Sequence, residues 1–416
     1  MSCRVCVLAV LLCTAMAQEP PEAEQAHLGR VLSEAGSSPT DYTRALEQHM
    51  ARFPQTAQRA EIERALVKSS LEAKDDRRLL LYGPRVLERD GDNPEVVERL
   101  AFVLLKGEGK EEAARALDYA KRLETVARAI HWEQSPTARL RWRRRQEQDR
   151  TLGKALVYQS RAAGVQGRLE EALALARKSY EAHPTAEASR EISRWLSRMD
   201  RVGEAVERLA DALTIADPEN TPAWQEQDRA RLREWQRKWK GSEAGLGDIV
   251  MAAYDRMAAV VAARNAALRK IDPNADLTNP MEFTLAGLSG EPLALASLKG
   301  KVVVLDFWAT WCGPCRAQQP LYEQVMKKFA GRPDVVLLNI NTDQDRNVVK
   351  PFLEDRGWNK TVYFEDGLSS LLRVSSIPAT FVFNRRGEMA SRMNGFLPER
   401  FVDMLTERID TALEEK

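Results

Sequence analysis

The chain has 416 residues, of which 44% are hydrophobic and 30% are charged, and its formal net charge is +1. This composition is typical of a soluble globular protein that is long enough for two or three domains. A net charge this small creates no global field that would attract nucleic acid or an anionic membrane, so we expect partners to be recognised locally and nucleic acid not to be among them.

The N-terminus has the pattern of a secretory signal over residues 1–17. A basic residue precedes an apolar run over 5–12, and small residues before Gln18 fit a cleavage site. The run is too short to span a bilayer. A lipid anchor at Cys13 is the alternative, although a leucine precedes this cysteine where such signals have a small residue. We therefore expect an exported protein, periplasmic or otherwise extracytoplasmic, whose signal is cleaved or retained as an anchor.

Residues 18–270 predict helices almost throughout. Apolar residues recur three and four positions apart, and strand-like alternation is absent. The clearest predicted helices cover 41–53, 60–73, 95–105 and 111–124, and a glycine-containing turn joins the last two into a helical hairpin.

Similar hairpin patterns recur at Gly167 and Arg201, about 33 to 34 residues apart, and this is the period of tetratricopeptide repeats. The region resembles such repeats in a degenerate form, because their Trp and Tyr positions are not kept. A generic helical bundle is the alternative. Stacked helical pairs present a concave surface, so we expect a protein or peptide ligand on the helical repeats.

The densest basic run, residues 139–145, includes an aromatic side chain. Acidic residues follow it directly, and an exported chain rarely meets nucleic acid. We therefore predict that this run is a solvated helix face.

The best domain boundary is the segment 271–280, where two prolines and several turn-forming residues end the helical periodicity. Beyond it, strands alternate with helices, which argues for an α/β sheet covered on both faces. The predicted elements are a hairpin over 283–295, a strand over 302–308, a helix after the cysteine motif, a strand over 335–340, a helix over 348–356, a strand over 360–364, a short helix over 368–373, strands at 381–383 and near 389, and a closing helix over 398–413.

Two cysteines, Cys312 and Cys315, lie three positions apart at the start of a predicted helix. This spacing puts both sulfurs on one face of the first turn, where they can form a disulfide and reopen it. The partial positive charge of a helix N-terminus favours the thiolate at Cys312, which is therefore the predicted nucleophile. Pro314 suits the first turn, where its missing N–H costs nothing.

Half of a zinc site is the competing interpretation of this cysteine pair, and it would require a second Cys or His pair. The other three cysteines lie in the predicted signal, and the last of the four histidines is His183, far upstream. We therefore expect no metal and no cofactor. After cleavage the pair would be the only cysteines left, which favours a reversible redox couple over a structural disulfide.

The segment 302–312 reads as a buried strand that enters the cysteine motif, and it closely resembles the thioredoxin superfamily. Ile377 and Pro378 before the strand 379–383 resemble that superfamily's cis-proline loop. The added hairpin and the extra strand and helix between about 341 and 373 resemble exported reductases of the TlpA and ResA type. This resemblance covers roughly the last third of the chain.

The resemblance implies a thioredoxin-fold domain over 281–416, after a linker at 271–280 and a helical domain over 18–270. The expected fold class is therefore α + α/β, with a helical-repeat domain followed by the thioredoxin fold.

The reaction that the resemblance implies is thiol-disulfide exchange, in which Cys312 attacks a substrate disulfide and Cys315 resolves the mixed disulfide. Trp311, Ile377 and Pro378, a cis-proline in this family, would contact the substrate. The Gly-Pro dipeptide between the cysteines is that of thioredoxin, so we expect a reductase. Its expected partners are a disulfide-bonded client protein and a membrane or soluble thiol reductant.

The acid that serves Cys315 is expected at Asp306. ResA-like proteins usually carry Glu three residues after the second cysteine, but Gln318 occupies this position here. Asp306 stands where thioredoxin keeps a buried Asp, and burial should raise its pKa so that it accepts a proton near neutral pH. Under this hypothesis, replacing Gln318 by alanine should have little effect.

A peroxiredoxin-like peroxidase is one alternative, but such enzymes place Thr where Ala309 stands. Copper delivery or hydrolysis by a Cys-His pair would need a histidine in this domain, and none follows His183. A protein-binding scaffold with a redox-active domain is the remaining alternative.

Overall fold

The computed structural model describes residues 21–36 and 38–415, so the predicted signal at 1–17 lies outside the described residues. No helix in these two ranges combines the length and apolar character needed to cross a membrane. The chain divides into two compact units. Among the described residues, the first comprises those up to Val126 together with Leu152–Glu181 and Arg190–Arg201, and the second comprises Ala127–Thr151, Ala182–Ser189 and those from Val202 onward.

In the described part of the chain, twelve α-helices precede the first strand, as the sequence predicted for this region. They are α1 (Pro21–Ala35), α2 (Pro39–Arg52), α3 (Arg59–Ala73), α4 (Asp76–Asp90), α5 (Pro94–Leu104), α6 (Lys110–Arg128), α7 (Ala138–Val165), α8 (Leu169–Ala182), α9 (Ala186–Arg198), α10 (Val202–Thr214), α11 (Pro222–Lys240) and α12 (Leu246–Arg269).

Side-chain caps fix the start of several of these helices. Asn93 accepts hydrogen bonds from the backbone N–H groups of Glu95 and Val96, and Pro94 occupies the first turn of α5. Such a cap satisfies donors that have no partner inside the helix. The Asn-Pro signal in the sequence therefore begins α5 where the pattern predicted a helix.

Neighbouring helices pack in pairs within each unit. In the first unit, α1 packs on α2 and α3 packs on α4, and in the second, α10 packs on both α11 and α12. Trp195 in the first unit is fully buried and donates from Nε1 to Ser160 Oγ at 2.8 Å. Gly164 makes room for it, since a Cβ there would lie 2.1 Å from the indole ring. The tetratricopeptide identity of these pairs stays a prediction.

The C-terminal part of the second unit is built on a mixed sheet of five strands in the order β5-β4-β3-β6-β7. Strands β4 and β5 run parallel to β3, and β6 is antiparallel to it. A separate antiparallel hairpin of β1 and β2 precedes the sheet, as predicted. The strands are β1 (Thr284–Leu285), β2 (Leu293–Ala294), β3 (Val302–Trp308), β4 (Val335–Asn341), β5 (Val362–Phe364), β6 (Ala379–Phe383) and β7 (Met389–Asn394), and the helices are α13 (Gly313–Phe329), α14 (Val349–Arg356), α15 (Leu368–Leu371) and α16 (Phe401–Glu414).

The central strand β3 is buried along its whole length and separates two apolar clusters. Alternate residues such as Leu305 and Phe307 belong to one cluster, whereas Val302 and Val304 pack with Tyr322 of α13. Side chains alternate across a strand, so Asp306 falls on the face that α13 covers. The fold class, a helical region followed by a thioredoxin-like α/β domain, is thus confirmed.

The basic run at 139–145 is not uniformly solvated, and this corrects the prediction for Arg139. Its Nε lies 3.2 Å from Oδ2 of the buried Asp272, and its guanidinium donates to the carbonyl oxygens of Asn274 and Ala275. Asn274 in turn exchanges two hydrogen bonds with the backbone of Thr284. The segment 271–280 is therefore packed in the second unit, and its role as a domain boundary stays a prediction.

Arg139→Ala should destabilise the second unit because it leaves the carboxylate of Asp272 buried without its cation. The expected loss is up to about 3 kcal/mol, at the lower end for a broken buried pair since Arg139 is partly exposed. Urea unfolding would measure it, with the exposed Arg143→Ala on the same helix as the control. Equal midpoints for the two variants would show that Arg139 contributes no more than a surface arginine.

Candidate active site

Cys312 and Cys315 form a disulfide at the N-terminus of α13, with Cα atoms 5.3 Å apart. Cys312 is the N-cap residue, and its Sγ accepts a hydrogen bond from the backbone N–H of Cys315 at 3.1 Å. Pro314 lies in the first turn. A sulfur in this position gains the same N–H donor and helix dipole that would stabilise a thiolate, so the local fold lowers the energy of the charged nucleophile.

The loop before β6 lies against this sulfur. The Ile377–Pro378 peptide bond is cis, as predicted, and the carbonyl oxygen of Ile377 is 3.8 Å from Cys312 Sγ. Cys312 itself is 3% exposed, whereas Trp311 beside it is 70% exposed. The structure thus brings Cys312, Cys315, Ile377 and Pro378 together. The exposed indole of Trp311 lies next to the recessed sulfur of Cys312 in the chain.

Asp343, which the sequence analysis did not single out, fixes the loop that leads into the motif. Its two carboxylate oxygens accept hydrogen bonds from the backbone N–H and the hydroxyl of Thr310, both at 2.8 Å. Asn341 Nδ2 donates to the same carboxylate at 2.7 Å. Because Asp343 follows β4, only the pairing of β4 with β3 makes this contact, and no local sequence pattern indicates it.

Asp306 lies beneath α13, where its Oδ1 accepts hydrogen bonds from Gln318 Nε2 at 2.7 Å and from Thr380 Oγ1 at 2.9 Å. Gln318 is one turn after Cys315 on the same helix, so Cys315 and the contact to Asp306 share one helix face. Although Gln318 is uncharged, it therefore still interacts with the buried acid Asp306. Its truncation would remove a donor to Asp306, and the expectation that this substitution has little effect stays a prediction.

Burial raises the pKa of Asp306 to about 7, against the hydrogen bond from Thr380, the charge of Lys360 and the hydrogen bond from Gln318, which all favour the carboxylate. Burial first, and the Asp306 charge second, also raise the pKa of Tyr322 well above its usual value. A carboxyl group with a pKa near neutrality exchanges protons readily at physiological pH, which is the property required of a general base.

Lys360 was also missed by the sequence analysis. Its positive charge favours the carboxylate form of Asp306. Its Nζ lies 3.7 Å from the centre of the Trp308 ring and donates to Gln319 Oε1 at 2.6 Å. Burial lowers the pKa of Lys360 to about 8, although Asp306 opposes this shift. Within the described ranges no group of three or more His, Cys, Asp or Glu side chains could hold a metal ion.

The fold and the cysteine pair at the helix N-terminus define a thioredoxin-like thiol-disulfide oxidoreductase domain. Residues 278–392 match the model of the AhpC/TSA family. The thiol-disulfide oxidoreductase ResA of Bacillus subtilis is 30% identical over 122 residues, which cover 29% of this chain and 68% of that protein. Through this C-terminal domain the chain belongs to the family of ResA thiol-disulfide oxidoreductases.

Other similar proteins match the same part of the chain. The thioredoxin-like protein YneN of Bacillus subtilis is 33% identical over 108 residues, and the chain spans only 64% of its length. Among solved structures, a putative thiol:disulfide interchange protein DsbE from Chlorobium tepidum is 32% identical, with a TM-score of 0.29 and coverage of 32% of this chain and 92% of that one. The helical region lies outside the matched family model.

Asp306→Asn should stabilise the oxidised protein at high pH. The native state keeps the Asp306 proton up to about pH 7, whereas the unfolded chain releases it near the ordinary pKa of 3.8, so native stability falls as pH rises through this window. Asn has no proton to lose, and a pKa difference of this size corresponds to a gain of up to about 4 kcal/mol at about pH 8.

The gain would be measured as the difference in urea unfolding free energy between variant and wild type as a function of pH. It should disappear below about pH 4, where both states carry the proton. The exposed Asp355→Asn is the matched control and should show no such pH dependence. A constant difference across the whole range would contradict the raised pKa of Asp306.

Proposed function

We propose that the protein reduces disulfide bonds of client proteins outside the cytoplasm through the Cys312/Cys315 couple. The observation that carries this proposal is the position of Cys312 Sγ, which accepts the Cys315 N–H at a helix N-terminus and faces the Ile377 carbonyl. The thioredoxin dipeptide between the cysteines supports reduction, because thioredoxin has a potential of about −270 mV. The signal pattern at 1–17 supports export, and a membrane or soluble thiol reductant would supply the electrons.

Trp311, Ile377 and Pro378 are proposed to contact the client. An exposed aromatic side chain supplies apolar contact area, and a backbone carbonyl beside the reactive sulfur can accept a hydrogen bond from an extended client segment. The peroxidase alternative gains no support, since the buried Ala309 has no hydroxyl that could polarise a peroxide.

Asp306 is proposed as the base for the resolving step. Once the client is attached to Cys312, the Cys315 thiol must lose its proton before its sulfur can attack. The contact from Gln318 to Asp306 on the Cys315 face of α13 supports this assignment.

Cys312→Ser should abolish reduction of a generic protein disulfide with dithiothreitol as the electron donor, because serine is too weak a nucleophile for this exchange. Cys315→Ser should instead accumulate a mixed disulfide with the substrate, which non-reducing electrophoresis would detect. In single-turnover kinetics Asp306→Asn should slow resolution and spare the first attack. Full turnover by Cys312→Ser would remove it as the nucleophile, and unchanged resolution in Asp306→Asn would remove only the base.

We further infer that the helical region, residues 18–270, contributes to the choice of client. Stacked helical pairs offer an extended surface that a small redox domain lacks, and this is what supports the inference. The contacts of the segment 271–280 with Arg139 argue against testing it by truncation, because cutting there would remove packed residues.

Hydrogen exchange of the full chain tests this inference directly. Cys315→Ser trapped with a client from cell envelope extract should show slowed amide exchange in some of α1–α12 as well as around Cys312, relative to the free variant. The matched control is the same variant trapped with a short disulfide-bonded peptide, which should slow exchange around Cys312 alone. Slowed exchange confined to 281–416 with every client would assign the helices another role.

A further inference from the structure

A row of polar side chains crosses the sheet on the face that α13 covers. Strand register places Asn339 of β4 and Thr380 of β6 on either side of Asp306. All three residues are buried. Asn339 Nδ2 donates to the carbonyl oxygen of Thr361 at 3.2 Å, next to β5. The row therefore leads from the centre of the sheet to its β5 edge.

A groove of about 700 Å³ lies at that edge, between α13 and the strands β4 and β5. Asn339, Gln319 and Lys360 all line it. Gln319 links Lys360 to Glu323, since it accepts from Lys360 Nζ and donates to Glu323 Oε1 at 3.0 Å. The polar row thus reaches the groove at Asn339, and Lys360, Gln319 and Glu323 share hydrogen bonds along the wall of that groove.

Several buried polar atoms beside Asp306 have no hydrogen-bond partner among residues 21–36 and 38–415. They are Gln318 Oε1, Asn339 Oδ1 and Trp308 Nε1, two acceptors and one donor. Buried polar groups in proteins are nearly always satisfied, by protein or by water. A polar site that offers both acceptors and donors next to a groove suits water molecules, which can carry protons between fixed groups.

We propose that the proton which Asp306 takes from Cys315 leaves through this groove, with Lys360 as the positioning residue, rather than past Cys312 and the attached client. This inference rests on the proposed role of Asp306. Cys312 is recessed and would be covered by the client in the mixed disulfide. The groove is lined by other residues, so it remains available to solvent at the moment when the proton must leave.

The resolving step conserves atoms and electrons. Asp306 takes the proton of the Cys315 thiol, a bond forms between the sulfurs of Cys315 and Cys312, and the bond from Cys312 to the client sulfur breaks. The client sulfur departs as a thiolate and takes a proton from solvent, so its disulfide is reduced by two electrons while the cysteine pair is oxidised. Asp306 then releases its proton to water in the groove.

The charge of Lys360 favours this release because it stabilises the Asp306 carboxylate that remains, and it opposes the rise in the pKa of Asp306 that burial causes. The other titratable groups that face this pair are Tyr322 from α13, which stays neutral near neutral pH, and Glu323, whose charge acts on Lys360. Cys315 is the proton donor itself.

Lys360→Met in the full chain tests the proposal in single-turnover kinetics across pH. The rate of resolution should shift to higher pH, with about a tenfold loss below the midpoint for each unit by which the pKa of Asp306 rises. The first attack by Cys312 should keep its rate. Lys360→Arg retains the charge and should keep the wild-type profile, and ethylammonium added to Lys360→Ala should restore part of the lost rate by entering the groove.

Lys327→Met is the matched control, because this exposed lysine lines the same groove. An unshifted profile in Lys360→Met, an equal shift in Lys327→Met, or equal slowing of both chemical steps would overturn the proposal. Asp306→Asn distinguishes failure of the proton exit route from failure of the proposed base. If Asp306→Asn slows resolution and Lys360→Met does not, only the exit route fails, whereas unchanged resolution in Asp306→Asn overturns the proposed base as well.

Discussion

A carboxyl group in the middle of the most buried strand is the constraint on which the site depends. Ionising Asp306 there costs free energy because the sheet and α13 exclude water from it. Two hydrogen bonds and one nearby cation offset part of that cost, and each comes from a different element: α13, β6 and the segment before β5. The ionisation of Asp306 therefore depends on the assembly of all three elements around it.

In the cysteine motif, one side chain also serves both the local structure and the proposed reaction. Cys312 caps α13 through its sulfur, so the group that ends the loop is also the proposed nucleophile. A charged sulfur accepts a backbone N–H more strongly than a neutral one. From the end of β4, the Asp343 carboxylate accepts two hydrogen bonds from Thr310, which lies two residues before Cys312. The positions of Thr310 and Cys312 thus depend on hydrogen bonds between backbone N–H groups and side chains, as well as on side-chain packing.

The sequence predicted the elements well because their signals are local. The apolar run of β3, the helical hairpins and the Asn-Pro start of α5 each depend on a few neighbouring residues. Asp306 was predicted because it stands where the thioredoxin superfamily, which this segment resembles, keeps a buried Asp, and because it lies inside an apolar run. Asp343, Lys360 and Arg139 were missed or misread because their contacts depend on strand register and on packing between distant segments. A surface lysine and a buried one look alike in a sequence.

The position of Asp306 on a strand has a physical consequence. Asp306 is short and held by strand register, so it cannot turn toward solvent when it ionises. Its charge must be balanced where it lies. Lys360 contributes to that balance from the segment before β5, where its Nζ lies 3.7 Å and 4.8 Å from the centres of the Trp308 and Trp358 rings. An acid at this position of the strand therefore depends on the partly buried Lys360 for part of its charge balance.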